Sequence, residues 1–244
     1  MKKKILHWLI VVMLLVYMVF AVAFISPKVD TDCLCTEITI EVVKSNGISY
    51  LKPEQIQQLL ERSSIYPINK KMSEIHLEAI ERELKKAQLI RSVECYKTVN
   101  GNLKIRVFQW YPILRVISNT GNYYVDFDGE ILPLPNGFSA YVPLATGTIS
   151  EEYAKTKLLE FVHFLRKNKT WDDQIEEIYV LPNGDVELIP NKGSHRILLG
   201  KIENYRENLN KLELFYKKAL DEIGWDRYSL INLKYENQVI CTKK

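Results

Sequence analysis

The sequence predicts an α+β protein built in series. An N-terminal transmembrane helix leads to a β-α-α-β-β domain, followed by a mainly antiparallel β domain with two helices. Three observations predict this. Residues 5–25, ILHWLIVVMLLVYMVFAVAFI, contain no acid, lysine or arginine. After them, alternating apolar segments and stretches of helical period follow in the order strand, helix, helix, strand, strand. Beyond residue 110, alternating segments separated by Asp-Gly and Asn-Gly pairs dominate. The expected divisions are a cytoplasmic tail at 1–4, an anchor at 5–25, a linker at 26–36, a first domain at 37–109 and a β domain at 110–244.

The run 5–25 would form a helix roughly 32 Å long at about 1.5 Å per residue, enough to cross a bilayer core. Lys2, Lys3 and Lys4 keep the N-terminus cytoplasmic, so the rest of the chain lies outside the cytoplasm. His7 and Trp8 fall where headgroup contacts belong. Ala21-Val22-Ala23 has the small-x-small form of a signal-peptidase site. The apolar core, however, exceeds the about 7–15 residues of a cleaved signal, which favours an uncleaved anchor. The net charge is +3 and the three lysines account for all of it, leaving no basic face for nucleic acid.

Residues 26–36, SPKVDTDCLCT, are polar and aperiodic and are read as a linker. Ile38, Ile40 and Val42 alternate as a strand, and Asn46-Gly47 turns the chain. Pro53 opens a helix carrying Ile56, Leu59 and Leu60. Ser73 is expected to cap a second helix with Ile75, Ala79, Ile80 and Leu84 as its apolar stripe. Val93, Cys95 and Val99, then Leu103, Ile105 and Val107, alternate on either side of Asn100-Gly101, a strong hairpin signal.

In the β domain, YYVDFDGEILPL is a hairpin turning at Asp128-Gly129, and 133–147 is read as Pro- and Gly-rich loop. A helix carries Leu158, Leu159, Val162 and Leu165. A meander turns at Asn183-Gly184 and near Lys192-Gly193. A second helix, roughly 204–220, carries Leu209, Leu212, Phe215 and Tyr216. The segment YSLINLKYENQVICTKK is expected to hold strands at 228–235 and 238–242. Tyr228, Leu230 and Asn232 lie on one face of the first strand, with Ile231, Leu233 and Tyr235 on the other.

Catalysis has no visible constellation. GxSxG and HExxH are absent, and His76, His163 and His195 read as ordinary surface or boundary residues. The DFDGE carboxylates are explained by their turn. Cys33 and Cys35 form one CxC without a second pair, which is weak for metal, while Cys95 and Cys241 read as small core residues. No cofactor, metal or small-molecule substrate is expected. Two readings stay open for the closing strands. One is an edge that accepts a partner strand; the other is a quiet edge guarded by Lys243 and Lys244.

The layout as a whole resembles the bacterial cell-division family FtsQ/DivIB. The segments that carry the resemblance are IERELKKAQLIRSVECYKTVNGNLKIRVFQWYPILRV, YYVDFDGEIL, HRILLGK and YSLINLKYENQVI. The tail is short for that family, and its usual Glu-Arg-x-Pro is here QWYP, residues 109–112. The resemblance implies that the first domain is a POTRA-like docking module and that the protein is a non-enzymatic divisome scaffold. It would sit in the inner membrane at the septum, linked to peptidoglycan synthesis through FtsB/FtsL-type partners. It also implies a partner contact at the closing strands, through Tyr228, Leu230, Tyr235, Gln238, Val239 and Ile240, flanked by Tyr216 and Trp225. Two other classes compete: an anchored envelope enzyme with a scattered site, and a POTRA-bearing outer-membrane assembly factor. The second needs at least about eight strands for a barrel, more than the handful expected here.

Overall fold

The computed structural model describes residues 2–25, 33–44, 49–134 and 137–244; within 2–25, side chains are described only for 7, 8 and 10–21. The expected turn at Asn46-Gly47 lies outside the described residues. Helix α1 covers Lys2–Ile25. Among the described residues no helix is long and apolar enough to cross a membrane. The stretch expected as a span, 5–25, lies within this helix. Two compact units follow the chain, Met1–Gln109 and Trp110–Lys244.

In the first unit, β3 (Leu103–Gln109) lies between β1 (Ile38–Val43), parallel to it, and β2 (Ile90–Lys97), antiparallel to it. The central place suits β3 because Leu103, Ile105 and Val107 are all fully buried. Helices α2 (Pro53–Glu61) and α3 (Leu77–Leu84) add Ile56, Leu60, Ile80 and Leu84 to the same core. Each such side chain is worth about 1.5–3 kcal/mol of burial. Pro53 takes the first helical position, and the Gln55 side chain accepts from the Lys52 amide at 2.9 Å.

Three local expectations change. Ser73 does not cap α3. Met72–Glu74 forms its own 3-10 turn, and Ile75 is extended and buried (φ −82°, ψ 112°), so the helix starts only after His76. Sending Ile75 into the core requires a non-helical residue there, which separates the two turns. Val99 is exposed rather than part of the β2 face, because β2 ends at Lys97 and Gly101 (φ 74°) makes the turn. Residues 33–36 are structure rather than linker. Cys35 is fully buried, its amide donates to the Lys70 carbonyl, and the Met72 amide donates to that of Cys33.

In the second unit, nine strands form one sheet in the order β12-β11-β10-β9-β8-β7-β4-β5-β6. They are β4 (Pro112–Ser118), β5 (Gly121–Asp126), β6 (Ile131–Pro133), β7 (Leu144–Gly147), β8 (Ile175–Val180), β9 (Asp185–Pro190), β10 (Arg196–Lys201), β11 (Tyr228–Asn232) and β12 (Ile240–Lys243). Most pairs are antiparallel, but β4–β7, β7–β8 and β10–β11 are parallel. Strand β7 falls within the stretch read as loop. The register places Val116, Ala145, Ile178, Leu188, Ile197 and Ile231 in one row, all fully buried. Helices α5 (Leu159–Lys167) and α6 (Tyr205–Phe215) contribute Phe161, Val162, Leu165, Leu209 and Leu212 to the buried set. The neighbouring row, Ile117, Thr146, Tyr179, Glu187, Leu198, Asn232 and Ile240, has no fully buried member. This is the half-wet sheet expected of mainly antiparallel pairing. The expected first helix is a composite of α4 (Glu151–Tyr153), a π turn (Ala154–Leu158) and α5. The second is α6, a π turn (Tyr216–Leu220) and α7 (Asp221–Ile223).

Candidate functional site

Strand β12 is the end member of the nine-stranded sheet and pairs with β11 alone. No strand lies on its far side among the described residues. Both closing strands are shorter than expected: β11 stops at Asn232 rather than 235, and β12 begins at Ile240 rather than 238. The physical reason is side-chain capture of the main chain. The Lys211 ammonium donates to the carbonyls of Leu233 (2.9 Å) and Tyr235 (2.8 Å), and Asn232 Oδ1 accepts from the Lys234 amide. Asn237 then takes a left-handed conformation (φ 56°), which turns the chain back into β12.

Tyr235 is therefore not on a strand face with Ile231 and Leu233. Those two are fully buried, while Tyr235 stands on the turn, 54% exposed. Gln238 and Ile240 are exposed and Val239 is half-buried. These four residues gather at the turn end of the β11–β12 pair. Tyr228 and Leu230 are half-buried on β11, with Tyr228 opposite Lys243 at the other end.

Tyr216 and Trp225 belong to that second end, within an aromatic cluster. Their rings lie 4.7 Å apart, Trp171 packs 6.1 Å from Tyr216, and His195 stands 5.6 Å from Tyr216 and 6.3 Å from Trp225. His195 is only 2% exposed, so its reading as a surface or boundary residue is overturned. Its Nε2 is 2.8 Å from the Tyr216 hydroxyl. Burial holds the imidazole below the usual histidine pKa, opposed in part by the nearby Trp225 carbonyl and Asp226. His163 is a different case: its Nε2 faces the Phe127 carbonyl at 3.0 Å.

The turn end has an ionic clamp that sequence reading missed. Asp185 is buried on β9, and its carboxylate accepts from Lys234 (2.7 Å) with Lys201 at 3.3 Å. The lysine hydrogen bonds hold Asp185 below the usual carboxylate range. Gly200 (φ 83°) makes the clamp possible, since a Cβ there would stand 2.7 Å from Lys234 Cγ. The cysteines form no disulfide, and burial raises the Cys95 thiol to about 12, which suits a packing role. No group of three or more metal-ligating side chains gathers among the described residues.

Residues 33–108 match the family model for POTRA-like domains, and residues 111–242 match the one described as FtsQ/DivIB, C-terminal related. The second match covers more than half of the chain. The chain belongs to the FtsQ/DivIB family. Membership gives it a role in cell division. No curated protein matches the sequence. Among solved structures, it is similar to the major extracytoplasmic domain of DivIB from Geobacillus stearothermophilus, in its trans isomer. That match has 16% identity and a TM-score of 0.34, and it covers 47% of this chain and 97% of that one. In the QWYP segment, Gln109 is buried and its Oε1 accepts from the amides of Tyr50 (2.9 Å) and Leu51 (3.2 Å).

Proposed function

We propose that the protein is a single-pass scaffold of the division machinery that works by binding rather than by catalysis. Residues 5–25 anchor it in the cytoplasmic membrane, with residues 26–244 on the extracytoplasmic side at the septum. The POTRA-like unit recruits. Strand β12 holds a small single-pass coiled-coil partner of the FtsB/FtsL type by strand addition, and through that partner the protein bears on septal peptidoglycan synthesis.

The observation that carries this reading is the position of β12. An end strand presents a row of main-chain donors and acceptors to whatever extended segment comes alongside. Ile240 and Tyr235 stand exposed beside that row, offering apolar and aromatic surface to complement main-chain bonding. The lysines that follow, Lys243 and Lys244, do not blunt the strand's turn end, where these side chains gather.

Co-purification of the full chain with an FtsB-type partner tests the proposal. Ile240→Lys places a charge where a partner strand's side chains would pack, and Tyr235→Ala removes the aromatic contact. Each should weaken capture by about tenfold or more, or about 1.4 kcal/mol, while the fold is kept. Wild-type protein that retains no such partner, or two variants that bind as wild type does, would sink strand addition at β12. Carbonate extraction of membranes tests the anchor. The full chain should stay with the membrane, and a chain lacking residues 1–25 should be released.

A further inference from the structure

The inner end of the β11–β12 pair is held by groups from four parts of the chain. The Lys244 amide donates to the Arg227 carbonyl at 3.3 Å, and the Lys244 ammonium donates to Ser194 Oγ. Ser194 Oγ in turn donates to Asp226 Oδ1 at 2.8 Å. Next to Ser194, His195 is buried and bonded to the Tyr216 hydroxyl, while the Lys192 ammonium sits 3.8 Å from the Trp225 ring centroid. Gly193 (φ 82°) lets this turn close, because a Cβ there would stand 2.9 Å from His195 Nδ1. His195 also leads directly into β10, whose Arg196 is in register with Leu230 of β11. The residue after β12, the start of β11 and the turn before β10 therefore meet around one imidazole.

We propose that His195 is a positioning residue for the edge strand and a pH-sensitive latch: neutral, it fixes the β12 end of the sheet, and protonated, it releases it. This rests on the reading of β12 as a docking edge. The physical reason is what surrounds the ring. A charged imidazole would be enclosed by the rings of Tyr216 and Trp225, with water excluded. The Tyr216 hydroxyl can donate to a neutral Nε2, and must turn to accept instead once Nε2 carries a proton. The charged groups nearby divide. Asp226 favours the imidazolium, whereas the ammonium of Lys244 opposes it, and Lys192 adds a further positive charge over Trp225. Tyr216 gives no compensating negative charge, since burial raises its phenol. Desolvation outweighs the Trp225 carbonyl and Asp226, which both favour the charged ring, so the folded state holds its proton less tightly than an open one. The latch is accordingly intact above the ordinary histidine pKa of about 6.5 and is lost progressively as pH falls below it. Strand β12 is an edge strand of four residues bonded along one side only, so it depends on what fixes its end.

Hydrogen exchange of the full chain tests this without any partner present. After correction for intrinsic rates, the Ile240–Lys243 amides should exchange about threefold to tenfold faster at about pH 5.5 than at about pH 7.5. Amides of β8 and β9 should show no such change. His195→Gln keeps a polar group near Tyr216 but cannot titrate, and should flatten the dependence. Tyr216→Phe, which removes only the bonded hydroxyl, should shift the His195 ring titration seen by NMR. A pH dependence that survives unchanged in His195→Gln, or its absence from wild type, overturns the latch. Partner capture is scored separately. A pH-gated β12 that captures nothing would refute the docking reading and leave the latch standing, whereas capture by a pH-insensitive β12 would do the reverse.

Discussion

At Asp185 a carboxylate 4% exposed accepts from Asn183 Nδ2 (3.1 Å) and Lys234 Nζ (2.7 Å). The two lysines remain partly in water, so the ion pairs themselves are screened. The cost of replacing the carboxylate by an amide therefore lies mainly in the charge-assisted hydrogen bonds lost. Asp185→Asn should cost the second unit about 1–3 kcal/mol at neutral pH, read from the denaturant midpoint. The folded-state pKa lies below the ordinary one, so this contribution is present above about pH 4 and is lost as pH falls through the folded value. Wild type should therefore lose stability more steeply than the variant below about pH 4, and parallel acid limbs would assign the acid sensitivity elsewhere. Nothing in the sequence joins positions 185, 201 and 234. They meet only because β9, β10 and β11 are neighbours, and β10–β11 pairing is parallel, which local alternation does not reveal. His195 was hidden for the same reason, since its burial comes from Tyr216 and Trp225 on distant segments. Turn glycines are the opposite case. Gly101, Gly129 and Gly184 all have positive φ, and each is marked in sequence by the Asn or Asp before it.

Among elements, hairpins and helices were legible and the parallel insertion was not. The pairs β2–β3, β5–β6 and β8–β9 each join across a short Asn-Gly or Asp-Gly turn, so neighbours in sequence are neighbours in space. Strand β7 is four residues, LATG, lying after a Pro-rich stretch, and it pairs parallel with both β4 and β8. It is too short to show a period, and its partners lie tens of residues away. Its one special residue is Gly147 (φ 101°), where a Cβ would stand 2.2 Å from the Val180 carbonyl oxygen. That neighbour is backbone and cannot rotate away. Gly147→Ala should cost about 3 kcal/mol or more, or leave the second unit unfolded, through strain at positive φ together with the clash. Gly137→Ala is the control. It shares a positive φ (70°) but meets nothing within 4 Å, so only about 1 kcal/mol of backbone strain applies. Equal thermal midpoints for the two variants would show that the close approach of β7 to β8 is not what makes Gly147 necessary.

For the whole molecule, the groups that place β12 all lie within one unit. Asp185, His195, Lys201, Lys211, Tyr216, Trp225 and Lys234 fall inside Trp110–Lys244, and the first unit has a core of its own around Leu60, Ile105 and Val107. Damage to the first core should therefore leave the edge intact. Leu60→Ala empties a fully buried site and should cost the first unit about 2–5 kcal/mol. In the full chain, hydrogen exchange should then accelerate across β1, β2 and β3 while protection of β11 and β12 stays at the wild-type level. The reciprocal substitution, Leu209→Ala in the second core, should reverse the pattern and also reduce capture of an FtsB-type partner, because the helix carrying Leu209 carries Lys211 as well. Edge protection lost in Leu60→Ala would mean that the first unit helps to place β12. The placement of β12 would then be a property of the whole chain rather than of the second unit alone.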